Sequence, residues 1–121
     1  MAPSRPAAIA LVALGGFVGS IARYGVTLLA PGLGGTFLVN VTGSFALGYV
    51  FYTSSTTDRI SPRTRLLVAT GFLSSYTTYS MFAFETVDVS LMWGLLNVLG
   101  SYAFGFGAAI LGRRLVVGGW R

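Results

Sequence analysis

At 121 residues the chain has the length of one domain, and 54% of it is hydrophobic against 9% charged; water-soluble folds carry about a quarter charged residues. The absence of Cys and His excludes disulfides, zinc centres, thiol nucleophiles and imidazole bases together. Asp58, Glu85 and Asp88 are the only acids, which argues against an enzyme, and the net charge of +5 comes from Arg residues that flank apolar runs, as in a membrane protein, instead of clustering on one face for nucleic acid.

A helix needs roughly 20 apolar residues to cross a hydrocarbon core, and four such runs follow one another. The first extends from Ala7 to Ala30 and ends at Pro31-Gly32. It is too long for the apolar core of a signal peptide. It carries Gly15 and Gly19 in a GxxxG pattern, which lets helix backbones approach closely in lipid. The second runs from Thr36 to Tyr52. Thr36, Asn40, Ser44 and Gly48 recur in it every four residues and so share one face.

A polar connector, "TSSTTDRISPRTR", leads to the third run, Leu66 to about Phe84, which Glu85 and Asp88 close. The fourth begins at Leu91 or Met92, ends at Leu111 and is closed by Arg113 and Arg114. Asn97, Ser101, Gly105 and Ala109 form a second small, uncharged stripe along it. The pattern predicts an all-α membrane protein, a single domain of four transmembrane helices over about 7–30, 36–52, 66–84 and 92–111. Each stripe reads either as the wall of a polar pathway or as a seam of interhelical hydrogen bonds, worth about 0.6 kcal/mol each.

Residues 74–80, "SSYTTYS", place seven consecutive hydroxyl side chains inside the third run. Polar groups at that depth cost several kcal/mol each unless the protein satisfies them. Three conformations meet that demand. A continuous helix would bond its Ser and Thr hydroxyls back to the i−4 carbonyls. A loop would divide the run into pieces too short to cross. A broken helix would turn its freed carbonyls and hydroxyls toward an ion or a water cavity, as transporters and channels do at midplane. With two polar stripes beside it, the broken helix bounds a narrow pathway without formal charge, suited to a small anion through Asn, Ser and Thr donors. Tyr79 and Phe82 lie three apart on one face; their ring edges carry partial positive charge toward an anion, or they pack against lipid or the core.

The stretches "GGFVGSIARY" (15–24), "GTFLVNVTGSFALG" (35–48), "GFLSSYTTYSMF" (71–82) and "NVLGSYAFG" (97–105) resemble, in order and nearly end to end, the signatures of the Fluc/CrcB fluoride channels. The resemblance implies antiparallel, dual-topology dimers of four-helix subunits, with fluoride pores along the interfaces and a structural sodium ion at the centre. It implies a fluoride pathway of Asn40, Ser44, Tyr79, Phe82, Asn97 and Ser101. The backbone carbonyls of Ser74 and Thr77 would hold sodium, and Arg23, Gly43 and Gly48 would serve structure. The chain departs from the family pattern at Ser74-Ser75, where Gly-Gly is usual, at Tyr79, where Phe is usual, and at Met81, where Thr is usual. These departures keep a second expectation open, a non-conducting partner subunit. A small multidrug transporter would need a buried Glu in its first helix, and residues 1–57 contain no acid.

Charge fixes an expected orientation. With four spans, Arg5, Arg59, Arg63, Arg65, Arg113, Arg114 and Arg121 share one side, against at most Arg23 on the other. The Arg-rich side is expected in the cytoplasm, placing both termini inside the plasma (inner) membrane. So strong a bias conflicts with insertion in both directions. The expected partner is therefore a paralogous subunit of opposite bias, although a dimer with itself stays open.

Overall fold

The computed structural model describes residues 2–119; Arg121, one of the Arg residues counted above, lies outside them. Every element is helical, with no strand among the described residues. Helix α1 spans Arg5–Leu29 and α2 spans Leu33–Thr56. The third segment begins with a single turn, α3 (Pro62–Arg65), and passes into a π-helical stretch, Leu66–Leu73, and then a turn of α-helix, α4 (Ser74–Tyr76). Thr77 and Thr78 are extended, and α5 (Tyr79–Asp88) resumes the helix before α6 (Leu91–Gly119).

Local chemistry explains the boundaries. The Ser4 hydroxyl accepts from the Ala7 N–H at 3.4 Å at the start of α1, with Pro in the first turn, where a missing N–H costs nothing. Gly32 has φ 78°, a left-handed conformation open to glycine, and this lets the chain reverse between α1 and α2. Helix α2 continues past Tyr52, where the second run was expected to stop. The hydroxyls of Ser54 and Ser55 donate to the Phe51 carbonyl at 2.9 and 2.8 Å, and Thr56 donates to Tyr52 at 2.7 Å. Those side chains satisfy themselves on the helix and prolong it.

The fourth run likewise does not end at Leu111. Helix α6 carries Arg113 and Arg114 on its surface and continues to Gly119. Its 29 residues measure about 43 Å at 1.5 Å per residue, more than a hydrocarbon core of about 30 Å. A helix of that length overhangs the apolar layer or tilts within it, and the two Arg do not end it.

Small residues set the packing. A Cβ on Gly15 would meet the Leu67 carbonyl, and one on Gly48 would meet the Ala109 carbonyl, so α1 lies directly on the π-helical stretch and α2 directly on α6. The buried apolar core is thin, consisting of Val39, Ala69, Leu73, Phe82 and Val116. Large apolar side chains such as Ile9, Phe17, Leu29 and Leu99 point outward. Helices α1, α2 and α6 are each long and apolar enough to cross a bilayer. The outward side chains suit contact with lipid or with another apolar surface, and the protein is a multi-pass membrane protein.

The Arg-rich segments meet at one end. The Arg65 guanidinium sits 4.8 Å from the Phe51 ring centroid, and that of Arg113 sits 5.0 Å from the Tyr52 centroid. Both rings belong to the last turns of α2, which places the starts of α1 and α3 and the far part of α6 around them. Arg23 stands well along α1, half-buried, and its carbonyl accepts from the Thr27 hydroxyl at 3.0 Å.

Gly15→Leu is expected to destabilise the protein by about 1–3 kcal/mol, because a backbone carbonyl blocks the new side chain. Gly107→Ala, at a site where a Cβ meets nothing within 4 Å, is expected to be neutral. Thermal unfolding in detergent separates the two.

Candidate functional site

The break at Thr77 and Thr78 is held from outside. The Asn40 side chain on α2 donates through Nδ2 to the Thr78 carbonyl at 2.9 Å and accepts the Thr78 N–H through Oδ1 at 2.8 Å. One amide thus pairs both backbone groups of a residue that no helix satisfies. The Thr78 hydroxyl accepts from the Met81 N–H at 3.2 Å and caps α5. Gly43 allows this proximity, since a Cβ there would run into the Thr77 methyl and the Tyr76 ring.

Two of the three conformations considered for the polar run coexist. Ser74 bonds back to the Thr70 carbonyl, and the Thr77 hydroxyl donates to the Leu73 carbonyl at 3.0 Å. The helix nevertheless breaks at Thr77, whose backbone is extended. Ser74 is itself in a right-handed helical conformation, φ −67° and ψ −27°, which any L residue adopts. Ser in place of Gly therefore introduces no strain there.

The break also redirects donors. In an unbroken helix the Thr78 N–H would serve the Ser74 carbonyl and the Met81 N–H would serve the Thr77 carbonyl. Here the first goes to Asn40 and the second to the Thr78 hydroxyl. The Ser74 and Thr77 carbonyls thus lose the helical donors they would otherwise have, leaving oxygens of the kind that coordinate a hard cation. Among the described residues no group of His, Cys, Asp or Glu offers an alternative set of ligands.

A groove of about 400 Å³ opens beside the break. Asn40 and Ser44 line it from α2, Thr77 and Thr78 from the break, Tyr79 and Phe82 from α5, and Ser101, Tyr102, Gly105 and Phe106 from α6. None of the described residues lining it is charged. The Thr78 carbonyl takes one of the two Asn40 amide hydrogens and leaves the other. Phe82 is 8% exposed and Tyr79 72%, their ring centroids 5.7 Å apart. Phe82 meets Tyr102 nearly at right angles, 86°, at 6.0 Å.

Asn97 takes a place other than the one expected from its stripe. It does not line the groove but stands behind Ser101, accepting that hydroxyl's proton at 3.2 Å and donating to Thr86 at 2.9 Å. Thr86 in turn donates to the Phe82 carbonyl at 2.7 Å, so the chain of bonds ties α6 to the residue bearing the buried ring. Thr36, the first member of the α2 stripe, donates to Glu85 Oε1 at 3.0 Å and also stays out of the groove. Sequence reasoning did not single out Tyr102, Phe106 or Thr78 as lining. An aromatic pair four apart on the same helix as Ser101 was a usable signal for the first two.

Residues 10–113 match the family described as CrcB-like protein, Camphor Resistance (CrcB). The chain is 53% identical over 108 residues to "Fluoride-specific ion channel FluC 1" of Haloarcula marismortui, covering 89% of this chain and 84% of that protein. It is 46% identical over 114 residues to the protein of the same name from Natronomonas pharaonis, covering 93% and 96%. To "Fluoride-specific ion channel FluC 2" of Halobacterium salinarum it is 42% identical over 107 residues, covering 88% and 84%.

Asn40→Leu removes both bonds to Thr78 and leaves its N–H and carbonyl orphaned in a part-buried site. Hydrogen exchange at the Thr78 amide is expected to accelerate about tenfold or more, with the α1 amides unchanged.

Proposed function

The chain belongs to the CrcB-like family, and on that footing we propose that it is a subunit of a fluoride-selective channel through which cytoplasmic fluoride leaks out passively. The observation that carries this reading is the uncharged groove at the break, where Asn40, Ser44 and Ser101 are polar and Tyr79 and Phe82 are aromatic. A pathway without fixed cations offers no deep electrostatic well, and so an ion that enters can leave. The Asn40 amide hydrogen that Thr78 leaves and the ring edges favour a small, strongly accepting anion over a larger, weaker one. The Ser44 and Ser101 hydroxyls, which donate to the Asn40 carbonyl at 2.6 Å and to Asn97 at 3.2 Å, would have to turn from those bonds to join them. Asn97 orients Ser101 from behind.

A structural sodium ion fits the Ser74 and Thr77 carbonyls, whose helical donors the break has redirected. The segment 62–88 serves as the fourth crossing, interrupted at midplane. The groove is only part of a pore, because Tyr79 stands largely exposed on its wall. A second, antiparallel subunit in the plasma membrane would complete it. The Arg excess at the end where α2 meets α3 favours cytoplasmic termini, and so a paralogous partner of opposite bias. Among the relatives, proteins named both FluC 1 and FluC 2 are in keeping with subunits of more than one kind. In such a pair Tyr79 and Met81 could leave one pathway non-conducting. The small multidrug transporter gains no support, since no acid lines the groove.

Proteoliposomes containing the chain are expected to release fluoride and retain chloride. Phe82→Ile, which removes a ring edge but keeps bulk, is expected to reduce fluoride flux at least about tenfold, a barrier increase of about 1.4 kcal/mol. Comparable efflux of the two anions would overturn the assignment.

With a topology reporter at the C-terminus, the chain expressed alone in its native host is expected to face almost wholly inward and to confer incomplete fluoride resistance. Equal inward and outward populations with full resistance would instead mean a dimer with itself.

A further inference from the structure

A second groove, of about 450 Å³, lies at the Arg-rich end and shares no residue with the first. Pro3, Ser54, Ile60, Pro62, Arg65 and Leu66 contribute most of its lining. Its walls are mostly apolar, and among the described residues Arg65 is the one charged side chain lining it. The guanidinium lies over the Phe51 ring, 4.8 Å from its centroid. Stacking of this kind occupies the face of the guanidinium plane and leaves the N–H groups at its edge able to donate.

The surrounding charge is one-sided. Arg5 opens α1, Arg59 and Arg63 flank the start of α3, and Arg113 and Arg114 lie on α6 beyond the last turns of α2, against Asp58 as the only acid. An anion is attracted to such an end, and the apolar lining beside Arg65, with Leu66 leading along the third segment, suits a hydrocarbon chain. A free inorganic anion would use the Arg and leave the apolar wall bare. Basic pockets between membrane helices hold anionic lipid headgroups in this way, and Arg meets phosphate with two parallel hydrogen bonds.

We propose that this groove is a binding site for an anionic glycerophospholipid, with its polar headgroup beside Pro3 and Ile60, its phosphate on Arg65 and an acyl chain leaving past Leu66 and Thr70. The bound lipid bridges the entrance of α1, the end of α2 and the start of the broken segment.

The test reconstitutes the full chain into vesicles with equal amounts of phosphatidylglycerol and phosphatidylcholine, extracts it gently and counts retained lipid by native mass spectrometry. Phosphatidylglycerol is expected to be retained preferentially. Arg65→Gln is expected to reduce that retention about tenfold, the loss of one charge-assisted pair. Ile60→Trp, which fills the groove and keeps the charge, is expected to do the same and covers the case in which Arg65→Gln misfolds. Arg113→Gln removes an equal charge outside the groove and is expected to stay within about twofold of the unaltered chain. Equal losses in the two Arg variants would reduce the site to a diffuse basic rim and overturn the proposal. Unchanged retention in Ile60→Trp, or displacement of the lipid by inorganic phosphate alone, would overturn it as well.

Discussion

The structure depends on one side-chain amide. Asn40 satisfies both backbone groups of Thr78, and without that pairing a break in the third segment would leave bare peptide groups inside an apolar layer. Around this pairing, Gly43 makes room, the Thr78 hydroxyl restarts the helix as α5, and the groove takes its polar wall from the same few residues. An Asn in lipid is usually explained as half of an interhelical side-chain pair. Here its partner is main chain, and the result is a conformation that the segment's own sequence does not provide.

Much of this was legible beforehand because it rests on composition and period. Four apolar runs, small residues every four positions and a hydroxyl-rich interruption follow from what lipid permits. The break was readable as one of three outcomes; its location at Thr77 and Thr78, past Ser74-Ser75, was not. That choice is made across space by Asn40, 38 positions away. Helix ends were misjudged for a related reason. Ser54, Ser55 and Thr56 look like loop residues until their hydroxyls bond back, and Arg113 looks like a stop until Tyr52 lies beneath it. The stripe on α6 was read as a uniform wall, but Asn97 faces Thr86 because α5 ends beside it.

The two grooves illustrate how the same apolar scaffold accommodates opposite tasks. At the break, no charged side chain lines the groove and its polar groups come from Asn, Ser and Thr, in keeping with the proposed passage of an ion. At the Arg-rich end, charge is concentrated and one guanidinium is immobilised on a ring, which suits an occupant that stays. The difference arises from which side chains each place brings together: the small polar stripes of α2 and α6 beside the interruption at one, and Arg-bearing helix ends at the other.

The break also orders the events of membrane insertion. Helices α1, α2 and α6 are long and apolar enough to enter lipid unaided, and the interrupted segment 62–88 does not meet that criterion. Its peptide groups at Thr78 find their partner on α2, which a ribosome completes first. As a fourth crossing, the segment would enter a membrane that already contains its template and would partition against protein as much as against lipid. On that reading a substitution at Asn40 would act twice, once on the proposed pathway and once on the yield of chains that thread the membrane correctly.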